Sequence, residues 1–163
     1  MAKTKINIRE VLSLNFLERR ETLVISGNIN SDANALARAL GMKAERDGAS
    51  IMTINAGTLD EELVEGEAGE FSATRLIGTA KPKLLIIENL GEKKLAPTHA
   101  KVLASLLSER INKASTIITS PHPLSMMATQ LGASTGAKSL LNSLSAHAGQ
   151  VIIGFQKRIS HKA

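Results

Sequence analysis

The chain has 163 residues, 43% of them hydrophobic, which suffices for one domain with a core and leaves two domains cramped. No apolar run approaches the ~20 residues that span a bilayer. With no cysteine, disulfides, thiolate metal sites and a cysteine nucleophile are excluded. The formal charge of +5 is unevenly spread: Asp60, Glu61, Glu62, Glu65, Glu67 and Glu70 crowd one segment against the single Arg75, so the rest of the chain is more basic than the net figure.

In chain order, the charged opening "MAKTKINIRE" lacks the continuous apolar stretch of a signal peptide, and the cytoplasm is the expected location. Short β-branched runs follow at "TLVIS" (22–26), "SIMTIN" (50–55), "KLLIIE" (83–88), "STIITS" (115–120) and "QVIIGF" (150–155). They are too short for helices, and their continuous apolar character predicts strands buried on both faces. After the first strand, Ala33, Leu36, Ala37, Leu40 and Ala44 recur at helical spacing, with Asn34, Arg38 and Glu45 on the opposite face. Residues 57–80 mix acids and glycine with a weak apolar pattern, suggesting a helix and a loose connection; the acidic stretch reads as a solvated helix face or a dock for a basic partner. "APT" (96–98) starts a helix carrying Ala100, Leu103, Leu107 and Ile111. "LGASTGAKS" (131–139) reads as a loop, with a helix from about Lys138 to Ala148. Strands alternating with helices predict an α/β domain with a mostly parallel sheet, whose ligands bind beyond the carboxyl ends of the strands.

The segment "TLVISGNINSDANALARAL" has the layout of a phosphate-binding loop between strand and helix. Together with "FLERRETLVISG" (16–27), "LARALGMKAERDGASIMTINAGTL" (36–59), "LLIIENLGEKKLAP" (84–97), "LLSERINKASTIITS" (106–120) and "LLNSLSAHAGQVI" (140–152), it resembles the ATPase core of the IstB and DnaC-like helper proteins, a branch of the AAA+ P-loop ATPases. The similarity runs from about Val11 to Lys157. It implies a single three-layer P-loop domain with a mostly parallel five-stranded sheet and no separate lid domain, over 11–157. A basic extension (1–10), without room for the family's usual small N-terminal domain, and a basic tail (158–163) flank it. It also implies a helper-ATPase pedigree in DNA transposition or replication.

The positions that should hold nucleotide depart from the family. A phosphate loop needs glycines for backbone approach, a lysine for the phosphates and a hydroxyl for Mg²⁺. Gly27 is present, but Asp32, Ala33 and Asn34 stand where Gly-Lys-Thr belongs. Losing the lysine and gaining Asp32 both oppose a polyanion; like charges ~4 Å apart repel by about 1 kcal/mol even in water. In "IIEN", Glu88 retains one acid, while Asn89 replaces the carboxylate that would serve as general base. Pro121 stands at the sensing position after the fourth strand, and Asn142-Ser143 where Asp-Arg is usual; an arginine of that type is worth orders of magnitude in phosphoryl transfer. A helix lacking a phosphate at its N-terminus needs an acceptor from within, so of Asn30, Ser31 and Asp32, either Ser31 or Asp32 is expected to cap a helix over Ala33–Arg46.

The expected function is therefore non-catalytic: a pseudo-ATPase scaffold or regulatory subunit, possessing no required cofactor, with residual ATP–Mg binding left open. A protein partner or homo-oligomer is expected. The alternatives are a weak or partner-completed ATP binder, an ATP-independent DNA binder, and recruitment to an unrelated assembly. For DNA or partner contact the candidates are the basic pairs Arg19-Arg20, Lys93-Lys94 and Lys157-Arg158. Three phenylalanines as the only aromatics argue against a base-stacking platform. His99, His122, His147 and His161 lack zinc-ligand spacing, so no metal is expected; His147 reads as a helix-end residue, and His122, between two prolines, is the one to watch. Leu124, Met126 and Met127 read as core before partner site.

Overall fold

The computed structural model describes residues 7–27, 30–58 and 81–153, with the side chains of Asn30 and Ser31 left aside. The helices are α1 (Ile8–Leu12), α2 (Asn15–Glu18), α3 (Asn30–Arg46), α4 (Pro97–Arg110), α5 (Met127–Leu131) and α6 (Thr135–His147). The strands are β1 (Thr22–Gly27), β2 (Ile51–Asn55), β3 (Leu84–Glu88), β4 (Ser115–Ser120) and β5 (Ala148–Ile153). Single 3₁₀ turns lie at Ala56–Thr58 and Leu124–Met126.

The five strands form one sheet in the order β2-β3-β4-β1-β5, parallel at every pairing. Alternation along each strand divides the core. Leu23, Ile25, Leu84, Ile86 and Ile117 face α1, α2 and α3, whereas Val24, Leu85, Ile87 and Ile118 face α4, α5 and α6. The expected three-layer α/β sheet is present. Burial on both faces holds for β1, β3 and β4, whose residues are all buried. It fails for the edge strands. Met52 and Thr53 of β2 are exposed, and Gln150, Ile152 and Ile153 of β5 are half-buried, because an edge has a neighbour on one side only.

Three boundaries differ from those expected. α3 begins at Asn30, three residues early. β5 starts at Ala148, directly after α6. α6 starts at Thr135, inside the stretch expected to be a loop, because Ser134 caps it by accepting a hydrogen bond from Ala137 N at 3.1 Å. Gly136 in its first turn is explained by packing rather than flexibility: a Cβ there would lie 2.6 Å from Lys101 N and 2.9 Å from Lys101 Cα. Sequence gave no sign that α4 and α6 approach backbone to backbone. α1, beginning at Ile8 and burying Val11, lies partly within the span expected to be an extension. Most of 57–80, with the acidic stretch, and the tail at 158–163 lie outside the described residues.

Arg110 ends α4 only 1% exposed. Its Nε donates to Thr116 Oγ1 at 2.9 Å and its Nη2 to the Ser115 carbonyl, fastening the helix to the start of β4. Loss of water pulls its guanidinium down to about 10. Two variants test this packing. Gly136→Ala should destabilise the fold by about 1–3 kcal/mol in denaturant melts, since backbone must move to admit the methyl group. Arg110→Ala should cost about 2–4 kcal/mol, leaving a cavity and two acceptors short of a donor.

Candidate functional site

The carboxyl ends of β1, β3 and β4 converge beneath the first turns of α3, at the place where parallel sheets bind ligands. Gly27 closes β1 and is buried; residues 28–29 lie outside the described residues. Ser31 and Asp32 fall inside the first turn of α3 rather than at its cap, because the helix starts at Asn30. Asp32 is exposed, and its carboxylate there still complements the helix dipole. Ala33 is fully buried against the sheet.

Asn34 and Arg38, on the face of α3 opposite its apolar stripe, both make contacts in the cleft. Four residues apart, they share one side of α3, and at this end of the helix that side lies beside the strand ends, with Asn34 half-buried and Arg38 reaching the cleft from solvent. The Arg38 guanidinium grips Glu88 with two hydrogen bonds, Nε to Oε2 at 2.9 Å and Nη2 to Oε1 at 3.0 Å. The Glu88 side chain is 5% exposed and that of Arg38 65%, so a buried carboxylate is met by a cation arriving from solvent. The hydrogen bonds to Glu88, and then its charge, raise the Arg38 guanidinium above its ordinary range.

Beside this pair the amides close a ring. Asn34 Nδ2 donates to Asn89 Oδ1 at 2.9 Å, the Thr119 hydroxyl donates to Asn34 Oδ1, and Asn89 N donates to Thr119 Oγ1 at 2.9 Å. Asn89 Nδ2 then donates to Asn55 Oδ1 at 3.1 Å, which also accepts from Gly57 N at 2.8 Å. Asn89 itself sits at φ 65, a left-handed conformation that asparagine tolerates. The ends of β2, β3 and β4 and the start of α3 are thereby joined by uncharged groups that satisfy one another. Arg38, Asn55 and Thr119 escaped the sequence analysis; the i, i+4 spacing of Asn34 and Arg38 was the available signal.

The remaining candidates scatter. Pro121 and His122 are half-buried just past β4, where His122 N donates to Ser120 Oγ at 3.1 Å. Ser143 lies on α6, half-buried, with no hydrogen bond to the cleft among the described residues. Lys93 and Lys94 are exposed in the loop after β3, whereas Arg19 and Arg20 lie at the other end of the sheet. Arg19 pairs with Glu10 at 3.2 Å and with the half-buried Glu21 at 3.9 Å. Lys157 and Arg158 lie outside the described residues. Met127 and Leu124 are core, whereas Met126 is 52% exposed; His147 is in the last turn of α6. Among the described residues no group of three or more acidic or histidine side chains could hold a metal ion.

A family model described as IstB-like ATP binding protein matches residues 2–162. A Geobacillus stearothermophilus protein named as an ATP-binding protein of insertion sequence IS5376 is 30% identical over 140 residues, covering 86% of this chain and 56% of the relative. Its counterpart named for IS232, from Bacillus thuringiensis subsp. berliner, is 32% identical over 115 residues, covering 71% and 46%. The chain thus spans about half the length of the curated relatives it matches. Among solved structures, DnaI superposes with a TM-score of 0.69 at 15% identity, covering 93% of this chain and 97% of the other. The DnaC helicase loader gives 0.63 at 17% identity, covering 92% and 93%. At such identities the likeness is one of fold.

Removing the cation tests the pair. Arg38→Leu strands the Glu88 carboxylate and should lower the melting temperature, and Glu88→Gln in the same chain should restore part of the loss. Strict additivity in this double-mutant cycle would mean that the two residues are not coupled.

Proposed function

The chain belongs to the family of IstB-like ATP-binding proteins, and we propose that its cleft corresponds to that family's nucleotide site and that this member is a pseudo-ATPase that works by binding rather than by turnover. One observation carries this proposal: Glu88 is held by Arg38 while Asn34, Asn89 and Thr119 bond to one another. The donor set fits Mg-ATP poorly. Magnesium favours carboxylate and hydroxyl oxygens, whereas the Glu88 carboxylate is already engaged by a guanidinium and the amides of Asn34 and Asn89 stand in place of a hydroxyl and a second acid. Ala33 brings no charge for the phosphates, and the exposed Asp32 repels them. Asn89 cannot take a proton from water.

The proposed role is that of a scaffold or regulatory subunit, contacting a protein partner or further copies of itself in a complex of the insertion-sequence transposition type. The names of its relatives support that setting. No helix among the described residues is long and apolar enough to cross a membrane, and a cytoplasmic setting belongs to the same proposal. A second proposal, a weak ATP binder completed by a partner subunit, draws on the retained Glu88 at the end of its strand.

Titration with a fluorescent ATP analogue and Mg²⁺ separates the two. The pseudo-ATPase should show no saturation below about 1 mM. A micromolar dissociation constant overturns it, as would a marked rise in melting temperature with Mg-ATP, since ligand at about 100 times its Kd adds about 2.7 kcal/mol.

A further inference from the structure

The opposite end of the sheet carries a second site. At the amino ends of the strands, Arg20, Lys81, Lys83 and Lys113 line a concave pocket of about 360 Å³, together with Glu18 and Ser50. Four cations face one carboxylate there, and all four are exposed. Among the described residues the ion pairs are those of Arg19 with Glu10 and Glu21 and of Arg38 with Glu88, so none of the four cations is neutralised. Four cations against one carboxylate still repel one another, and such a cluster gains from an anion.

The backbones of three of them are fixed in advance. Arg20 N donates to Leu17 O at 3.2 Å, Lys113 N to Arg110 O at 2.9 Å, and Lys83 N to Ser50 Oγ at 3.0 Å. A neighbouring cavity shares Lys83 and Glu18 and continues past Asp47 and Gly48, so the surface is a groove rather than an isolated hole.

We propose that this groove binds the phosphates of a duplex nucleic-acid backbone. Spaced cations suit a repeated phosphate. Single-strand binding would need aromatic stacking, and the one described phenylalanine, Phe16, is 3% exposed in the core. An acidic protein partner would be anchored by apolar or aromatic contacts at its centre, and the groove offers little of either. The site shares no residue with the nucleotide-like cleft, so the ATP titration bears on one and not on the other.

Fluorescence anisotropy with a labelled duplex of about 20 base pairs, between about 50 and 200 mM salt, tests the site. The full chain should bind in a salt-dependent manner. Lys83→Glu/Lys113→Glu should weaken binding at least about tenfold at low salt and reduce the salt slope by about 2. Lys81→Gln/Lys83→Gln removes charge without reversing it; it should flatten the slope similarly and melt no lower than wild type. Lys101→Glu/Lys138→Glu changes net charge equally on exposed helix surfaces and should shift binding by less than about threefold. Equal losses in the reversal and control variants overturn the proposal, as does the absence of salt-dependent binding. Displacement of the duplex by polyglutamate as effectively as by unlabelled duplex of equal charge overturns it in favour of an acidic protein.

Discussion

Glu88 ends a strand whose every residue is buried, and a carboxylate there has little water to screen it. A buried charge is costly unless the protein meets it. Arg38 does so, and by doing so it ties α3 to β3 across the cleft mouth. Once that pair forms, the spacing between helix and strand end is set, and Asn34 falls within reach of both Asn89 and Thr119. The amide ring and the ion pair thus bind the same helix to the same strand ends, over the buried contacts of Ala33 and Ala37. A cleft organised in this way needs no outside group to hold its parts in register.

The parallel sheet separates two surfaces of different character. At the carboxyl ends of the strands the polar groups are turned inward on each other. At the amino ends, four cations from three separate segments are left facing solvent. A protein acting as a scaffold has use for the second kind of surface, because it offers charge that the chain itself does not consume. Between the two ends lie the middle strands of the sheet, buried on both faces.

The strands were legible because a buried parallel strand has to be continuously apolar, and "KLLIIE" and "STIITS" have few other uses. The edges were misjudged for the complementary reason: "SIMTIN" resembles a central strand, and only the strand order shows that one side is open. α6 was shortened because glycine and serine weaken helix propensity, while the cap at Ser134 and the contact of Gly136 with Lys101 outweigh it. Of the cleft, Glu88 and Asn89 were found by position. Arg38 was not, since helical periodicity assigns faces relative to the apolar stripe and says nothing about which end of the helix overhangs the sheet. Of the basic groove, Arg20 was named as a candidate contact, whereas Lys81, Lys83 and Lys113 were missed because three separate stretches of the sequence supply the cluster. Adjacent pairs such as Arg19-Arg20 drew attention instead, and Arg19 proves to be matched by Glu10.

Asn89 illustrates how a backbone can limit which side chains a position accepts. Its left-handed φ of 65 disfavours β-branched residues on steric grounds and suits glycine, asparagine and aspartate best. Carboxylate and carboxamide are thus nearly equivalent to the turn, although they differ completely as acids. A single exchange between them could silence the chemistry at this corner and leave the chain's path through it undisturbed.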